Sequence, residues 1–324
     1  MPELLNGYQA SAYAAHYAGA KLIIGDNDIT KKIKSFTDFT GKVEDSDVEA
    51  AIGGSLSSRV FTTRRMSVRK ASLARVPVVG VSEEPFLQRD SGAIIFLPQN
   101  NQELFDFIVM AYNVAEDKKV MLPAVVGIDF LSARTREVVD VQTQKIIENF
   151  LPLPEVEKPE KHVFSAEETI KTKAQLQKAM DNSKKIMLGV FEKYKKKFRR
   201  QYGPVEKFML DDASAVIVTY GSITGNAKLA AQRLREQGEK TGVLCIRVLR
   251  PFPEASLEAL KGKKVAVLEP THAPGSGGIM CSEIRSRGID CSSYICGKSV
   301  SVAEFEDVFK RLKASQSSER IWMI

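Results

Sequence analysis

The chain has 324 residues, 44% of them hydrophobic and 27% charged, which excludes disordered, collagen-like and low-complexity classes. That length exceeds one ordinary core and fits two domains of about 100–200 residues each. The net charge of +7 permits an acidic partner or a nucleic acid, but no helix-turn-helix, ribonucleoprotein or zinc-finger motif accompanies it, so nucleic acid is not expected as a partner.

The first residues, Met1-Pro2-Glu3-Leu4-Leu5-Asn6-Gly7, lack a basic region followed by an apolar stretch, so no signal peptide is expected. No apolar run reaches the roughly 18–20 residues that cross a bilayer. A soluble, cytoplasmic protein without membrane contact is the expectation.

Residues 10–20 are Ala-rich and predict a helix, and residues 21–25 a short buried strand ended by Gly25. Strands follow at 59–63, 77–81 and 94–97, then a helix over 101–115 and a strand over 124–128. Short apolar strands separated by helices imply a parallel sheet covered on both faces. Three prolines in residues 151–161 mark a linker, and a polar helical stretch from Ala166 to about Phe198 succeeds it. Within that stretch and just after it, Lys184, Lys185, Lys193, Lys195, Lys196, Lys197, Arg199 and Arg200 gather with Glu192 as the one acid, a solvated face or a dock for an acidic partner.

The next strand spans 215–220 and turns at Gly221-Ser222 into an amphipathic helix over 226–237 closed by Gly238. A strand at 243–248, the element Arg250-Pro251-Phe252-Pro253, a helix to Leu260 and a strand at 265–269 complete a second parallel α/β unit. The Gly-rich segment Gly275-Ser276-Gly277-Gly278 then follows a strand and precedes a helix, the setting of a phosphate cradle or of a tight connection. The expected organisation is therefore 1–150, a linker and basic helical segment at 151–211, and a second domain at 212–324.

Cys245, Cys281, Cys291 and Cys296 form no C-x-x-C pair, and His16, His162 and His272 are scattered, so no metal site is expected on this chain. Reduced, partly buried thiols are the simplest reading.

Several ordered segments carry a likeness. Tyr202 to Phe208, Ala215 to Ser222, Leu234 to Val243 and Ile246 to Pro253 occur in an order that resembles the alpha subunit of the thiamine-diphosphate-dependent 2-oxoacid:ferredoxin oxidoreductases, the pyruvate synthase family. Gly7-Tyr8-Gln9-Ala10, Asp28-Ile29-Thr30-Lys31, the stretch from Val43-Glu44 to Thr63, Gln88 to Gly92, and Leu122-Pro123 extend it over nearly the whole chain.

The resemblance implies an α/β fold of two open parallel-sheet domains, an N-terminal thiamine pyrimidine-binding domain and a C-terminal transketolase-C-like domain. It implies that Glu44 is the glutamate that hydrogen-bonds the aminopyrimidine ring and so activates the thiamine carbon. Arg89 would hold the carboxylate of the 2-oxoacid, Thr30 would donate to the same substrate, and Asp28 would sit beside the cofactor. The family's Gly-Asp-Gly diphosphate motif is absent. Magnesium and [4Fe-4S] clusters are therefore expected on partner chains: a beta subunit with the diphosphate site and a cluster, and gamma/delta-type subunits, with ferredoxin as acceptor and coenzyme A taking the acyl group in a dimer of heteromers.

Three departures fall near that pocket. Both prolines of the family's Pro-Ile-Thr-Pro loop are lost in Asp28 to Lys31, Arg64-Arg65-Met66-Ser67 replaces a small-residue turn, and the excursion between Val81 and Arg89 is short. A catalytically degenerate scaffold subunit is the competing expectation.

Overall fold

A computed structural model describes residues 2–25, 27–44, 58–63, 68–151, 166–297, 299–314 and 320–323. The Arg64 to Ser67 replacement, residues 45–57 of the stretch after Glu44, and the proline-rich residues 152–161 lie outside the described residues. The chain divides into two compact units, Met1–Tyr202 with Val248–Pro251, and Gly203–Arg247 with Phe252–Ile324.

The first unit runs β1 (Pro2–Leu5), α1 (Gly7–Tyr17), β2 (Ala20–Ile24), α2 (Asp28–Lys34), β3 (Lys42–Glu44), β4 (Arg59–Thr62), α3 (Val68–Leu73), β5 (Val79–Ser82), a 3-10 turn (Pro85–Gln88) and β6 (Ile94–Phe96). It continues through α4 (Asn101–Ala115), β7 (Ala124–Gly127), α5 (Phe130–Arg134), β8 (Glu137–Asp140), α6 (Gln144–Glu148) and the long α7 (Ala166–Phe198). Helix α1 begins at Gly7, earlier than the Ala-rich run predicts, because Asn6 caps it: its side chain accepts the Gln9 N–H while the Gln9 side chain accepts the Asn6 N–H. Only glycine fits at position 7, where a Cβ would press on the Ser132 carbonyl at 2.7 Å.

The main sheet of this unit has the order β12-β6-β7-β5-β4-β2-β3, with β12 (Val248–Arg250) antiparallel to β6 and every other pair parallel. Strands β4 and β7 are buried at every position, as a sheet covered on both faces requires. Helix α4 supplies much of that cover and is apolar nearly all round, with Phe105, Phe107, Ile108 and Tyr112 fully buried.

The second unit holds β9 (Val205–Phe208), β10 (Ala215–Thr219), α8 (Thr224–Glu236), β11 (Thr241–Ile246), β13 (Lys264–Glu269), the short pair β14 (His272–Ala273) and β15 (Gly277–Gly278), α9 (Ile279–Arg285), β16 (Ser292–Ile295), α10 (Val302–Ala314) and β17 (Arg320–Trp322). Its sheet has the order β17-β16-β13-β10-β11-β9, parallel except for β9 against β11. Both units are thus open, mostly parallel α/β sheets.

Further details differ from the sequence expectation: residues 28–31, expected as a loop, open helix α2. The strand expected at 243–248 ends at Ile246, and Val248 opens a new strand in the other unit's sheet. The cause is Arg247, whose guanidinium reaches Glu206 Oε2 at 2.9 Å and whose N–H donates to the Pro204 carbonyl, holding this position to the β9 edge. The helix expected before Leu260 is a 3-10 segment, Glu254–Leu260.

The basic stretch expected to stand apart within 151–211 is built into the first unit by its apolar side. Ala179, Met187, Val190, Phe191, Tyr194 and Phe198 of α7 are buried in the same core as α4. One carboxylate fastens this packing. Asp106, fully buried on α4, accepts from the Tyr194 and Tyr202 hydroxyls at 2.6 Å each and from Arg200 at 2.6 and 3.0 Å. Burial raises its pKa, and the Arg200 guanidinium and the two hydroxyls oppose that rise. At the start of β4, Arg59 is likewise buried and paired with Glu116 at 2.8 Å while donating to the Ala18 carbonyl.

Removing one partner of a buried pair leaves the other charge unsolvated. Asp106→Ala is expected to cost about 3–5 kcal/mol, and Tyr202→Phe about 1 kcal/mol. Chemical denaturation reads both, and an Asp106→Ala midpoint equal to wild type would contradict the account.

Candidate functional site

Open α/β sheets place ligands at the carboxyl ends of strands where neighbouring connections leave in opposite directions. In the first unit that point lies between β2, whose connection leads to β3 on one side, and β4, whose connection leads to β5 on the other. Three strand ends meet there. Gly25 follows β2 with φ +138, and its N–H donates to the Glu44 carbonyl at 3.0 Å. A side chain at position 25 would run into Thr63 Oγ1, so this close approach requires glycine. Thr63, just after β4, donates its N–H to the Ile24 carbonyl, while its hydroxyl oxygen is buried and has no hydrogen-bond partner among the described residues.

Glu44 ends β3 at this edge, with its side chain about 25% exposed and ion-paired to Lys42 two residues back on the same strand face. The expected substrate residue Thr30 is fully used by its own helix. Its hydroxyl donates to the Asn27 carbonyl at 2.8 Å and accepts the Asn27 N–H at 2.9 Å, closing a capping box at the start of α2. Asp28 is exposed in the first turn of that helix and lies 3.5 Å from Lys31. Thr30 thus shapes the loop, and Asp28 presents its carboxylate to solvent.

Arg89 is not brought to this edge. It caps the 3-10 turn that packs on β7, its guanidinium lies 3.2 Å from Asp90, and its carbonyl accepts from Arg250. Strand β7 is four neighbours from β3, a separation of about 19 Å at ordinary strand spacing.

A further pair occupies the end of β5. Tyr8 donates its hydroxyl to Glu83 at 2.5 Å, and its pKa is pushed up to about 12, first by burial and then by that carboxylate. Sequence reasoning quoted Tyr8 and Thr63 inside matching segments without giving them a role. The signal for Tyr8 was an aromatic beside a helix start, and nothing local marks Thr63, whose isolation depends on Gly25 from another strand.

The second unit handles its switch point, between β10 and β13, differently. Glu269 ends β13 fully buried and accepts the N–H groups of Met280 and Cys281 at 2.8 and 3.0 Å, at the start of α9. Gly278 makes room for this carboxylate, since a Cβ there would strike Glu269 Oε1. The Gly275 to Gly278 segment is therefore the tight connection, and the amides a phosphate would take are satisfied by the chain's own side chain. Desolvation raises the Glu269 pKa to about 7, against the pull of those amides. The four cysteines are buried and unbridged, with Cys281 and Cys291 sulfurs 3.4 Å apart.

Among the described residues no three His, Cys, Asp or Glu side chains gather as a metal site, and no helix is long and apolar enough to cross a membrane. The first-unit edge offers one carboxylate and one unpartnered hydroxyl beside an apolar sheet. Those groups fit a neutral, hydrogen-bonding ring, and no described cluster fits a diphosphate with its metal.

Comparison with known proteins agrees with the two-unit division. Residues 66–201 match the family described as pyruvate flavodoxin/ferredoxin oxidoreductase, thiamine diphosphate-binding, and residues 213–308 match pyruvate:ferredoxin oxidoreductase core domain II. The ketoisovalerate oxidoreductase subunit VorA of Pyrococcus abyssi is 30% identical, over 87% of this chain and 84% of its own. The pyruvate synthase subunit PorA of the same organism is 34% identical over 62% of this chain, which spans only 54% of that relative's length. A solved 2-oxoglutarate:ferredoxin oxidoreductase from Magnetococcus marinus shares the fold with a TM-score of 0.74 at 15% identity, over 96% of this chain and 65% of its own. A split-gene transketolase does so at 0.55 and 13%, over 95% of this chain and 97% of its own.

The Glu269 carboxyl generates a pH dependence. Its folded pKa near 7 lies above the ordinary 4.5, so the folded state binds the extra proton between these values. Stability is then greatest below the ordinary value and falls as pH rises through the folded one, by about 3 kcal/mol in all. The difference in thermal midpoint between wild type and Glu269→Gln should change over this window. A constant difference would contradict the assignment.

Proposed function

The chain belongs to the alpha-subunit family of the thiamine-diphosphate-dependent 2-oxoacid:ferredoxin oxidoreductases, and from that membership we propose that it forms one half of a shared cofactor site in such a complex. The reaction is oxidative decarboxylation of a 2-oxoacid, with the acyl group passed to coenzyme A and two electrons to an iron–sulfur acceptor. Bound thiamine diphosphate supplies the nucleophilic carbon and the electron sink for that cleavage.

The observation that carries this reading is the strand-end arrangement of the first unit: the Glu44 carboxylate, the glycine at 25 and the unpartnered Thr63 hydroxyl around one switch point. Glu44 would hold the aminopyrimidine ring there by a hydrogen bond, from a carboxylate that pairs with Lys42 on the same strand. Thr63 supplies a second hydrogen bond, one that its buried position otherwise wastes. Thr30 positions the α2 loop through Asn27, and Asp28 in the first turn presents its carboxylate to solvent. Arg89, paired with Asp90 at the end of the 3-10 turn, is assigned to the substrate carboxylate by the family likeness alone, a contribution to binding rather than to the chemical step.

The diphosphate, its magnesium and a [4Fe-4S] cluster belong on a beta-type partner, with gamma/delta-type chains and ferredoxin completing electron transfer in a cytoplasmic dimer of heteromers. A scaffold reading draws support from Arg89, which is paired away from Glu44, and from Thr30, whose hydroxyl is consumed locally.

In the assembled complex, Glu44→Gln is expected to reduce 2-oxoacid-dependent viologen reduction at least about a hundredfold and to weaken thiamine diphosphate titration. Full activity with unchanged titration would leave the scaffold reading standing. Comparing pyruvate, 2-oxoisovalerate and 2-oxoglutarate in the same assay assigns the substrate.

A further inference from the structure

Two of the buried thiols in the second unit form a pair. Cys281 lies in the first turn of α9 and Cys291 immediately precedes β16, and the fold sets their sulfurs 3.4 Å apart, within van der Waals contact. A disulfide requires them to close to about 2.05 Å, a small movement that side-chain torsions can supply. The other two cysteines are placed differently. Cys245 sets its sulfur against the Thr224 hydroxyl at 3.5 Å, and burial pushes the Cys296 thiol up to about 12, which keeps it protonated.

The surroundings give the paired sulfurs different roles. The Cys281 sulfur, and then burial, push the Cys291 thiol far above its ordinary range, so Cys291 keeps its proton. Arg285 fixes its position, donating to the Cys291 carbonyl from Nε at 3.1 Å and from Nη2 at 2.5 Å. Cys281 stands instead on the buried Glu269 carboxyl, whose Oε1 accepts its N–H at 3.0 Å and which feels charge on the Cys281 sulfur. With its pKa near 7, Glu269 exchanges protons around neutrality, as the base for a thiol must. A merely structural thiol needs neither a partner sulfur nor a base.

We propose that Cys281 and Cys291 are an oxidisable thiol pair, converted to a disulfide by hydrogen peroxide, with Glu269 as the base for Cys281. The Cys281 thiol gives its proton to Glu269, and its sulfur attacks one peroxide oxygen as the O–O bond breaks. That oxygen stays as a sulfenic hydroxyl, and the other leaves as hydroxide and takes the proton from Glu269 to become water. Cys291 then attacks the Cys281 sulfur, the S–O bond breaks, and the departing hydroxide takes the Cys291 proton as a second water. The two thiols lose two electrons, and the peroxide gains them. Both residues are only 2% exposed, which suits a water-sized oxidant and excludes a bulky one. The bond ties the first turn of α9 to the start of β16, fastening the elements that close this switch point. It lies wholly in the second unit and does not depend on the cofactor reading of the first.

The test treats the full-length chain, in its purified complex, with excess hydrogen peroxide, then denatures it, alkylates it and weighs it by mass spectrometry. Of the four cysteines, two should be alkylated, with Cys281 and Cys291 recovered as one linked peptide and all four restored by dithiothreitol. In C291S, which lacks the second sulfur, peroxide should leave a dimedone-reactive sulfenic acid on Cys281. In E269Q the disulfide should form about tenfold more slowly or less. Four alkylated cysteines in peroxide-treated wild type, or a bond to Cys245 or Cys296, overturns the pair, and that measurement needs no variant. No dimedone adduct on Cys281 in C291S overturns its role as the attacking sulfur, and an E269Q rate equal to wild type overturns the base.

Discussion

The Asp106 carboxylate is the constraint on which the first unit depends. It lies on α4, the helix buried nearly all round, and it cannot meet water. Its charge is tolerable only because Arg200, Tyr194 and Tyr202 converge on it from a segment about 90 residues later in the chain. Satisfying Asp106 therefore requires α7 to lie against α4, and it carries the chain to the end of the first unit at Tyr202. A buried ion pair of this kind adds little net stability over an apolar substitute, but it makes the alternative placements of α7 costly.

The two sheets share a topology rule and answer it in opposite ways. Each has a switch point at its carboxyl edge, where the strand connections diverge and leave backbone and side-chain groups without ladder partners. In the second unit Glu269 turns into that space and satisfies the amides of α9, so the edge is closed by the chain itself. In the first unit the edge retains Glu44, a glycine that admits close approach, and a buried hydroxyl without a described partner. The unsatisfied edge is the one with capacity left for a ligand.

Charge follows a similar division between use and surplus. Arg59 and Arg200 are spent on buried acids, and Arg235 and Arg247 of the second unit on neighbouring carboxylates. The nine exposed lysines of α7 between Ile170 and Phe198 add much of the chain's positive excess and spread over the solvent-facing sides of the helix. The apolar side of the same helix explains why a polar composition nevertheless forms a stable element: six buried side chains anchor it.

The alternation of short apolar runs with helical periodicity determined the class of both units, the longer strands and helices and the family likeness, because each of those signals is local. Asn6 and Asn27 were also locally readable as caps, although the helix start at residue 10 missed the first and the loop expected at 28–31 is the helix that the second caps. Tertiary structure alone decided the rest. The run from 243 to 248 reads as one strand, yet Arg247 divides it between two sheets through Glu206 and the Pro204 carbonyl. Glu44, Thr30 and Arg89 read as one pocket by resemblance, and strand order separates Arg89 from the others while a capping box absorbs Thr30. The physical reason is the same in each case: a side chain's role depends on which donors, acceptors and charges the fold places within hydrogen-bond reach, and those partners come from distant parts of the chain.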